Sequence, residues 1–247
     1  MKICLNCHYW SKWTGGLCLL RNIPVGRLHS CSKFVPKGAS VPLFHDSSFS
    51  SRKELNRRYI LLDRDGVINE ERKDYVKSPR ELVIFEEALL GLRLLRENGF
   101  KAIVLTNQSV IGRGIIEEQD LRLIHQTLFE KVEKTGGSIE RIYFCPHKPD
   151  DNCSCRKPKA GMFFRVSKDF NIDLKNTFYI GDKEIDVMAA KEAGCKAILI
   201  GKRNYQGSVK PDFMASNLYE AVRITLQHSV LSIQPSKQET KNPSLRS

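Results

Sequence analysis

Short apolar runs alternate along most of this chain with longer stretches in which apolar residues recur at helical spacing. The strand-like runs cover residues 59–62, 101–105, 139–144, 177–180 and 197–200. The helical patterns cover residues 86–98, 117–134, 161–170 and 185–192, several of them closed by glycine. Regular alternation of strand and helix predicts an α/β fold with a doubly wound parallel sheet.

Polar side chains follow three of these predicted strands. Asp63 and Asp65 come after the first strand, Thr106 after the second, and Gly181-Asp182 after the fourth. Open α/β sheets bind their ligands at the carboxyl ends of the strands. Carboxylates gathered there repel one another unless a cation lies between them, and an oxygen-preferring ion such as Mg²⁺ suits them.

These residue types are suited to phosphoryl transfer. A carboxylate can attack phosphorus and form an aspartyl-phosphate, and Asp63 is the candidate nucleophile. Asp65 is placed to protonate the leaving oxygen and then to deprotonate the attacking water. We expect Thr106 and Lys157 to hold the phosphoryl oxygens, and Asp182 to anchor Mg²⁺ together with Asp63.

Four motifs carry these residues in order along the chain. They are LLDRDGVIN (61–69), VLTNQ (104–108), CRKP (155–158) and YIGDKEID (179–186). In this order they resemble the haloacid-dehalogenase (HAD) superfamily of phosphatases, which implies a HAD-like Rossmannoid fold. The interpretation as solvated acids at loop tips does not explain four motifs in order. The spacing between Asp65 and Thr106 leaves no room for a large cap domain, so we expect an open active site.

A loop before the third motif has the composition of a structural metal site. Cys145, His147, Cys153 and Cys155 lie within eleven residues and complete a tetrahedral ligand set for Zn²⁺. Disulfides are the competing interpretation, which the embedded histidine weakens. Because Cys155 directly precedes Arg156-Lys157, a metal there would fix the position of the two cationic side chains that are expected to bind phosphate oxygens.

Within the superfamily, this loop resembles that of D-glycero-D-manno-heptose 1,7-bisphosphate 7-phosphatases and of histidinol-phosphatases. TNQSVIGRG (106–114), with Arg113, and CRKPKAGM (155–162) favour the heptose branch, although Ala160 replaces the usual proline. Histidinol-phosphatases typically carry TNQDG in the first of these segments. DYV (74–76) resembles that family's substrate loop, but an apparent one-residue insertion prevents transfer of roles at 70–75.

The resemblance implies roles for individual residues. Mg²⁺ would be bound by Asp63, the backbone carbonyl of Asp65, and Asp182. The substrate-binding residues it implies are Asn107, Gln108, Ser109, Arg113, Arg156 and Lys183. A second phosphate on the substrate would suit Arg113 and Arg156, because guanidinium groups bind phosphate oxygens in pairs. Arg113 as a solvated loop residue remains an alternative, and Asp186 is either a metal neighbour or a residue that orients lysine or backbone groups.

The N-terminal region carries a second cysteine pattern. Cys4, Cys7, Cys18 and Cys31 follow C-x2-C-x10-C-x12-C, which suits Zn²⁺ or an iron–sulfur cluster. The predicted organisation is a Cys-rich segment at 1–36, a basic Ser-rich linker at 37–58, the phosphatase domain at 59–226 and a polar, disordered tail at 227–247. The resemblance assigns no function to the first segment.

The net charge of +12 is concentrated at the two ends of the chain. Residues 59–201 carry 23 basic and 23 acidic side chains, whereas residues 1–58 contribute +8 and residues 202–247 contribute +4. Basic ends can bind nucleic acid or anionic surfaces, and solvated tails are the simpler interpretation. The chain has no run of eighteen apolar residues and no apolar signal core, so we expect a cytoplasmic monomer without a membrane span.

Three functional hypotheses follow. The first is a Mg²⁺-dependent sugar-bisphosphate phosphatase that removes the 7-phosphate of the heptose bisphosphate in the synthesis of lipopolysaccharide or other glycans. The second is a histidinol-phosphate phosphatase. The third is a nucleic-acid 3′-phosphatase or binding protein that uses the basic N-terminal segment. A redox or partner module on an ordinary phosphatase is a further interpretation of that segment.

Overall fold

The computed structural model describes the backbone of residues 17–18, 23–24, 58–201 and 205–231. The chain divides into two units, residues 1–50 and 51–247. In the first unit, β1 (Leu17–Cys18) and β2 (Ile23–Pro24) pair in antiparallel fashion. The predicted N-terminal metal site lies outside the described residues, except for the backbone of Cys18. Residues 37–57 of the predicted linker also lie outside them.

The second unit is built on a six-stranded sheet. Its strands are β3 (Arg58–Leu62), β4 (Phe100–Asn107), β5 (Ile139–Cys145), β6 (Phe178–Gly181), β7 (Lys196–Ile200) and β8 (Phe213–Ala215). Their order in the sheet is β5-β4-β3-β6-β7-β8, and every neighbouring pair is parallel. The predicted doubly wound parallel sheet is therefore confirmed.

Helices cover both faces of this sheet. They are α1 (Glu86–Glu97), α2 (Ser109–Gly112), α3 (Glu118–Lys134), α4 (Gly161–Phe170), α5 (Glu184–Ala193) and α6 (Leu218–Leu231). Short 3₁₀ helices lie at Pro79–Glu81, Pro149–Asp151 and Leu174–Asn176. One hydrophobic core joins the sheet to α1, α3 and α6, and a second joins it to α4 and α5.

Both faces of the central strands are buried, which explains their uninterrupted apolar sequences. In β3, Ile60 and Leu62 pack into the core beneath α1, whereas Leu61 packs into the core on the opposite face. All three side chains are fully buried. Strands of a parallel sheet that is covered on both sides need apolar residues at every position rather than at alternate ones.

The sheet reverses its winding between β3 and β6. From β3 the chain proceeds outward through β4 and β5, then returns to add β6, β7 and β8 on the other side. The pairing of β3 with β6 continues one residue beyond the strand, because the amide of Asp63 donates to the carbonyl of Ile180 at 2.8 Å. Ligand sites of open α/β sheets form at this point of reversal.

The C-terminal end of the domain differs from its predicted boundary at residue 226. Strand β8 was not predicted, and α6 continues to Leu231 because its apolar side packs against the sheet. Leu218, Ala221 and Val222 are buried, and the ring of His228 lies 4.4 Å from that of Phe213. None of the helices in the described ranges is long and apolar enough to cross a membrane.

Candidate active site

Three carboxylates converge beyond the ends of β3 and β6. Asp63 follows β3, Asp182 follows β6, and Asp186 lies in the first turn of α5, with carboxylate oxygens within 4.8 Å of one another. Two glycines permit this approach. Gly66 has φ +80°, and a Cβ there would lie 2.1 Å from Oδ2 of Asp182; a Cβ at Gly181 would lie 2.3 Å from that of Asp186.

The carboxylate cluster is electrostatically strained unless it holds a cation. Burial, followed by the charges of Asp63 and Asp186, raises the pKa of Asp182 to about 8. Burial also raises the pKa of Asp63 to about 6, although Lys157 opposes the shift. Within the part of the chain that is described, the buried Oδ1 of Asp182 has no hydrogen-bond donor. Oxygen ligands of this kind fit a hard divalent ion such as Mg²⁺.

Lys157 lies behind the cluster, and its side chain is only 1 % exposed. Its Nζ lies 2.9 Å from Oδ1 of Asp63 and 2.7 Å from Oδ1 of Asp186. It also donates to the carbonyl of Leu105 at 3.0 Å and to the hydroxyl of Tyr179 at 2.7 Å. Burial by itself would lower the pKa of Lys157, but the two carboxylates outweigh burial and raise it, so the ammonium stays charged.

Asp186 links this lysine to the loop that carries Asp182. Its Oδ1 faces Lys157, and its Oδ2 accepts from the backbone amides of Lys183 at 3.0 Å and Asp182 at 3.3 Å. Both carboxylate oxygens therefore have partners in the protein. Of its two predicted roles, this geometry favours orientation of lysine and backbone groups.

Asp65, two residues after Asp63, occupies a different environment. The guanidinium of Arg64 donates to both of its oxygens, with Nη2 at 2.8 and 2.9 Å. Asn69 Nδ2 donates to Oδ1 at 2.9 Å, and Gln108 Nε2 donates to Oδ2 at 2.8 Å. Burial would raise the pKa of Asp65, but Arg64 and these amides outweigh it and lower the pKa. The carboxylate form of Asp65 is thus stabilised.

Arg64 is itself held by helix α3. Its guanidinium is buried, and Nη1 lies 3.1 Å from Nε2 of His125, whose ring packs edge-on to Phe144. Burial, followed by the charge of Arg64, lowers the pKa of His125 to about 3. The imidazole is therefore neutral at ordinary pH and can accept the hydrogen bond from Arg64.

The residues of the second motif lie along the end of β4 and the start of α2. Thr106 is buried, and its Oγ1 accepts from Nε2 of Gln108 at 2.9 Å. The side chain of Asn107 donates to the carbonyl of Lys157 and accepts from its amide, both at 3.1 Å. Ser109 is buried at the first position of α2. Asn107 thus fastens the backbone that carries Lys157.

The three cations of the implied substrate site belong to separate loops. Arg156 donates from Nη1 to the carbonyl of His147 at 3.2 Å. Lys183 forms an ion pair with Glu71. Arg113 is exposed at the end of α2.

The second cluster lies in the loop between β5 and Lys157. The three sulfurs lie 3.3 to 3.6 Å apart, and Nδ1 of His147 lies 3.5 Å from Sγ of Cys145 and 3.3 Å from Sγ of Cys155. Cys145, Cys153 and Cys155 are free thiols. The amide of Gly112 donates to the carbonyl of Pro146, which joins this loop to α2.

Sequence reasoning did not single out Arg64, Asn69, His125 or Tyr179. Arg64 and Asn69 lie inside the first motif, so their proximity to Asp65 was visible in the sequence. His125 lies in a helical pattern 61 residues from Arg64, and Tyr179 lies in an apolar strand. For these two residues the only signal in the sequence is the polarity of the side chain.

Comparison with known proteins finds a matching family and several similar enzymes. The HAD-hydrolase-like family model matches residues 154–221. A heptose-1,7-bisphosphate 7-phosphatase of Pseudomonas aeruginosa is 37% identical over 146 residues, covering 59% of this chain and 82% of that protein. The corresponding enzyme of Neisseria meningitidis serogroup A is 41% identical over 143 residues, covering 58% and 76%.

A solved structure is also similar to this one. It is the D,D-heptose 1,7-bisphosphate phosphatase of Bordetella bronchiseptica in complex with magnesium and phosphate. The TM-score is 0.66 at 32% sequence identity, and the match covers 69% of this chain and 99% of that one.

Proposed function

We propose that this chain, which belongs to the heptose-1,7-bisphosphate 7-phosphatase family of HAD-like hydrolases, removes the 7-phosphate of D-glycero-D-manno-heptose 1,7-bisphosphate. The observation that carries the proposal is the position of Asp63. Its carboxylate lies 2.9 Å from a buried ammonium and within 4.8 Å of Asp182. A phosphoryl group attached there would meet a cation on one side and a carboxylate-bound metal on the other.

The reaction proceeds in two displacements at phosphorus. A carboxylate oxygen of Asp63 attacks the phosphorus, the bond to the sugar oxygen breaks, and protonated Asp65 gives its proton to that oxygen. In the second step, Asp65 as carboxylate takes a proton from water, which attacks the phosphorus of the aspartyl-phosphate. Orthophosphate leaves and the Asp63 carboxylate is restored. The contacts of Asp65 with Arg64, Asn69 and Gln108 favour the form needed in the second step.

Mg²⁺ would be held by Asp63, the backbone carbonyl of Asp65, and Asp182. When bound, the ion offsets the negative charge that develops on the phosphoryl oxygens. Lys157 and Thr106 bind those oxygens from the protein side. Support for this cation comes from Oδ1 of Asp182, which has no hydrogen-bond donor among the residues that the structure describes, and from the raised pKa of its carboxyl group.

The proposed substrate is a phosphorylated sugar because the relatives described above are heptose bisphosphate phosphatases. Arg113, Arg156 and Lys183 lie on three loops, and the family resemblance implies that they contact the substrate. The polar residues of the second motif complete the implied substrate-binding set, which adds Asn107, Gln108 and Ser109. The Asn107 amide is already occupied by Lys157, so Asn107 acts through the position of that backbone.

The thiol–imidazole loop holds a structural Zn²⁺. Ligands at zinc–sulfur and zinc–nitrogen distances in a tetrahedron lie roughly 3.5–3.8 Å apart, and the separations given above are close to these values and slightly shorter. All four positions are filled by protein, so the ion has no site for substrate. Its role is to fix the backbone leading into Arg156 and Lys157. The free thiols of the loop suit the reducing cytoplasm.

Steady-state phosphate release from four compounds tests the proposal. They are the two anomers of the heptose bisphosphate, histidinol phosphate and an oligonucleotide with a 3′-phosphate. We expect Mg²⁺-dependent turnover with the highest kcat/KM on a heptose bisphosphate. A preference for histidinol phosphate would reject the heptose assignment. A preference for the oligonucleotide that falls with salt and with deletion of residues 1–50 would favour the nucleic-acid hypothesis.

A further inference from the structure

The hydroxyl of Tyr179 lies in the active site although its ring belongs to the hydrophobic core. In β6, Phe178 and Ile180 pack into one core and Tyr179 packs into the other, with its ring 4.8 Å from that of Phe163. The residue is 1% exposed. An apolar side chain would satisfy the packing, and a buried hydroxyl costs stability unless it is hydrogen-bonded. The contacts of the hydroxyl therefore indicate its role.

Three polar groups surround this hydroxyl. Nζ of Lys157 lies at 2.7 Å, Oδ1 of Asp186 at 3.1 Å and the carbonyl of Leu105 at 3.4 Å. Burial, followed by the charges of Asp186 and Asp63, raises the pKa of Tyr179, so the phenol keeps its hydrogen. The nearer acceptor for that hydrogen is Asp186. The hydroxyl thus donates to Asp186 and accepts from Lys157.

The ammonium of Lys157 faces more acceptors than it can serve. Four oxygens lie within 3.0 Å of Nζ, contributed by Asp63, Asp186, Tyr179 and Leu105. An ammonium has three hydrogens. Asp186, Tyr179 and Leu105 take no part in bond making, whereas Asp63 loses its charge when it is phosphorylated. The hydrogen bond to Asp63 is therefore the one that can be exchanged.

We propose that Tyr179 is a positioning residue that weakens the hydrogen bond between Lys157 and Asp63 by accepting one of the ammonium hydrogens. The hydrogen bond that Lys157 donates to the nucleophile can then switch to a phosphoryl oxygen during transfer. The proposal rests on the proposed function, because it concerns the same phosphoryl transfer. Without the hydroxyl, the three hydrogens of the Lys157 ammonium face three oxygens, which belong to Asp63, Asp186 and Leu105. Lys157 would then remain bound to the nucleophile and weaken its attack.

Tyr179→Phe removes the hydroxyl and keeps the ring, and Tyr143→Phe is its matched control. Tyr143 is also buried; its hydroxyl donates to Asp169 at 2.7 Å, and the guanidinium of Arg165 lies over its ring. On p-nitrophenyl phosphate we expect Tyr179→Phe to lower kcat roughly tenfold to a hundredfold, the range for one hydrogen bond to a charged group. KM and Mg²⁺ affinity stay within about threefold, and the control stays within about twofold.

Binding of beryllium fluoride with Mg²⁺, measured by calorimetry, tests whether Tyr179 acts through Lys157. Tyr179→Phe should weaken binding in the wild-type background and leave it unchanged in Lys157→Met. Equal losses in both backgrounds, or a wild-type kcat in Tyr179→Phe, would overturn the proposal. Activity retained in Asp63→Asn would instead reject the proposed function.

Discussion

The molecule builds two candidate metal clusters in opposite ways. The carboxylate cluster draws Asp63, Asp182 and Asp186 from two strand ends and a helix, and one buried oxygen of Asp182 has no donor among the described residues. The thiol–imidazole cluster draws all four ligands from the loop at 145–155. The first set offers carboxylate oxygens that suit a hard ion such as Mg²⁺, whereas the second is a complete set of ligands that suits an ion such as Zn²⁺. The carboxylate cluster is therefore suited to the reaction, and the thiol–imidazole cluster to a structural role.

The two clusters are joined through one lysine. Cys155 belongs to the thiol loop, and Lys157, two residues later, lies 2.9 Å from Asp63. The side chain of Asn107 and the carbonyl of Leu105, both in β4, hold the backbone and the ammonium of this lysine. A substitution in the thiol loop should therefore also affect the carboxylate cluster, but less than a substitution in that cluster itself. Four predictions compare the two clusters.

Loss of the nucleophile should have the largest effect. In Asp63→Asn we expect kcat to fall by roughly a thousandfold or more, because no carboxylate remains to accept the phosphoryl group. Asp150→Asn, at an exposed position, is the matched control and should keep normal kcat. Thermal unfolding of both variants checks the fold. Near-normal turnover in Asp63→Asn would contradict covalent catalysis.

Mg²⁺ affinity should depend on pH at the carboxylate cluster. Asp182, with a pKa of about 8, is protonated below that pH, and the cation must displace this proton. We expect affinity to fall about tenfold for each pH unit below 8. Below pH 6 the slope should steepen, because Asp63 also takes up a proton. Calorimetry in buffers of different ionisation enthalpy measures the protons released when Mg²⁺ binds. A Mg²⁺ affinity independent of pH would contradict the displacement of a proton from Asp182.

Loss of one thiol should have an intermediate effect. Cys153→Ser should release one equivalent of zinc and lower kcat by about tenfold, because the loop before Lys157 loosens. Cys195→Ser, at a buried cysteine outside the cluster, should keep its zinc and its activity. Elemental analysis and steady-state rates provide the two measurements. An unchanged zinc content in Cys153→Ser would mean that the loop does not bind the metal.

Removal of an exposed cation should have the smallest effect. Arg113→Ala should raise KM for the sugar bisphosphate about fivefold, the scale of an exposed ion pair, with little change in kcat. An aryl monophosphate lacks the second phosphate, so its KM should not respond. If KM rises equally on both substrates, Arg113 binds the transferred phosphoryl group or acts on the fold.

Some residues of the two clusters and their surroundings could be predicted from the sequence, and others could not. The thiol loop could be predicted because its ligands are local, and Asp63 and Asp182 because strand ends meet at one edge of a parallel sheet. The contact of His125 with Arg64 spans 61 residues and depends on how α3 packs, which periodicity does not specify. Tyr179 has the pattern of a core residue and gives no local sign of its hydroxyl contacts.

The start of α6 has a sequence signal, although the helical patterns above do not include it. Asn217 accepts from the amide of Glu220, and Glu220 accepts from the amide of Ser216, so both sides of a helix start are hydrogen-bonded. A polar cap followed three residues later by glutamate is a sequence signal for a helix start. Strand β8 has only three residues, and no periodicity can be detected over that length.

The central claim is that Asp63 carries the phosphoryl group, and trapping in Asp65→Asn tests it most directly. Nitrophenolate leaves without an acid, so this variant should phosphorylate on p-nitrophenyl phosphate yet hydrolyse the product slowly, because no base activates water. Rapid acid quench, borohydride reduction and mass spectrometry would then identify the modified residue. We predict stoichiometric modification at Asp63. Modification elsewhere, or continued nitrophenolate release from protein that is never modified, would contradict the account.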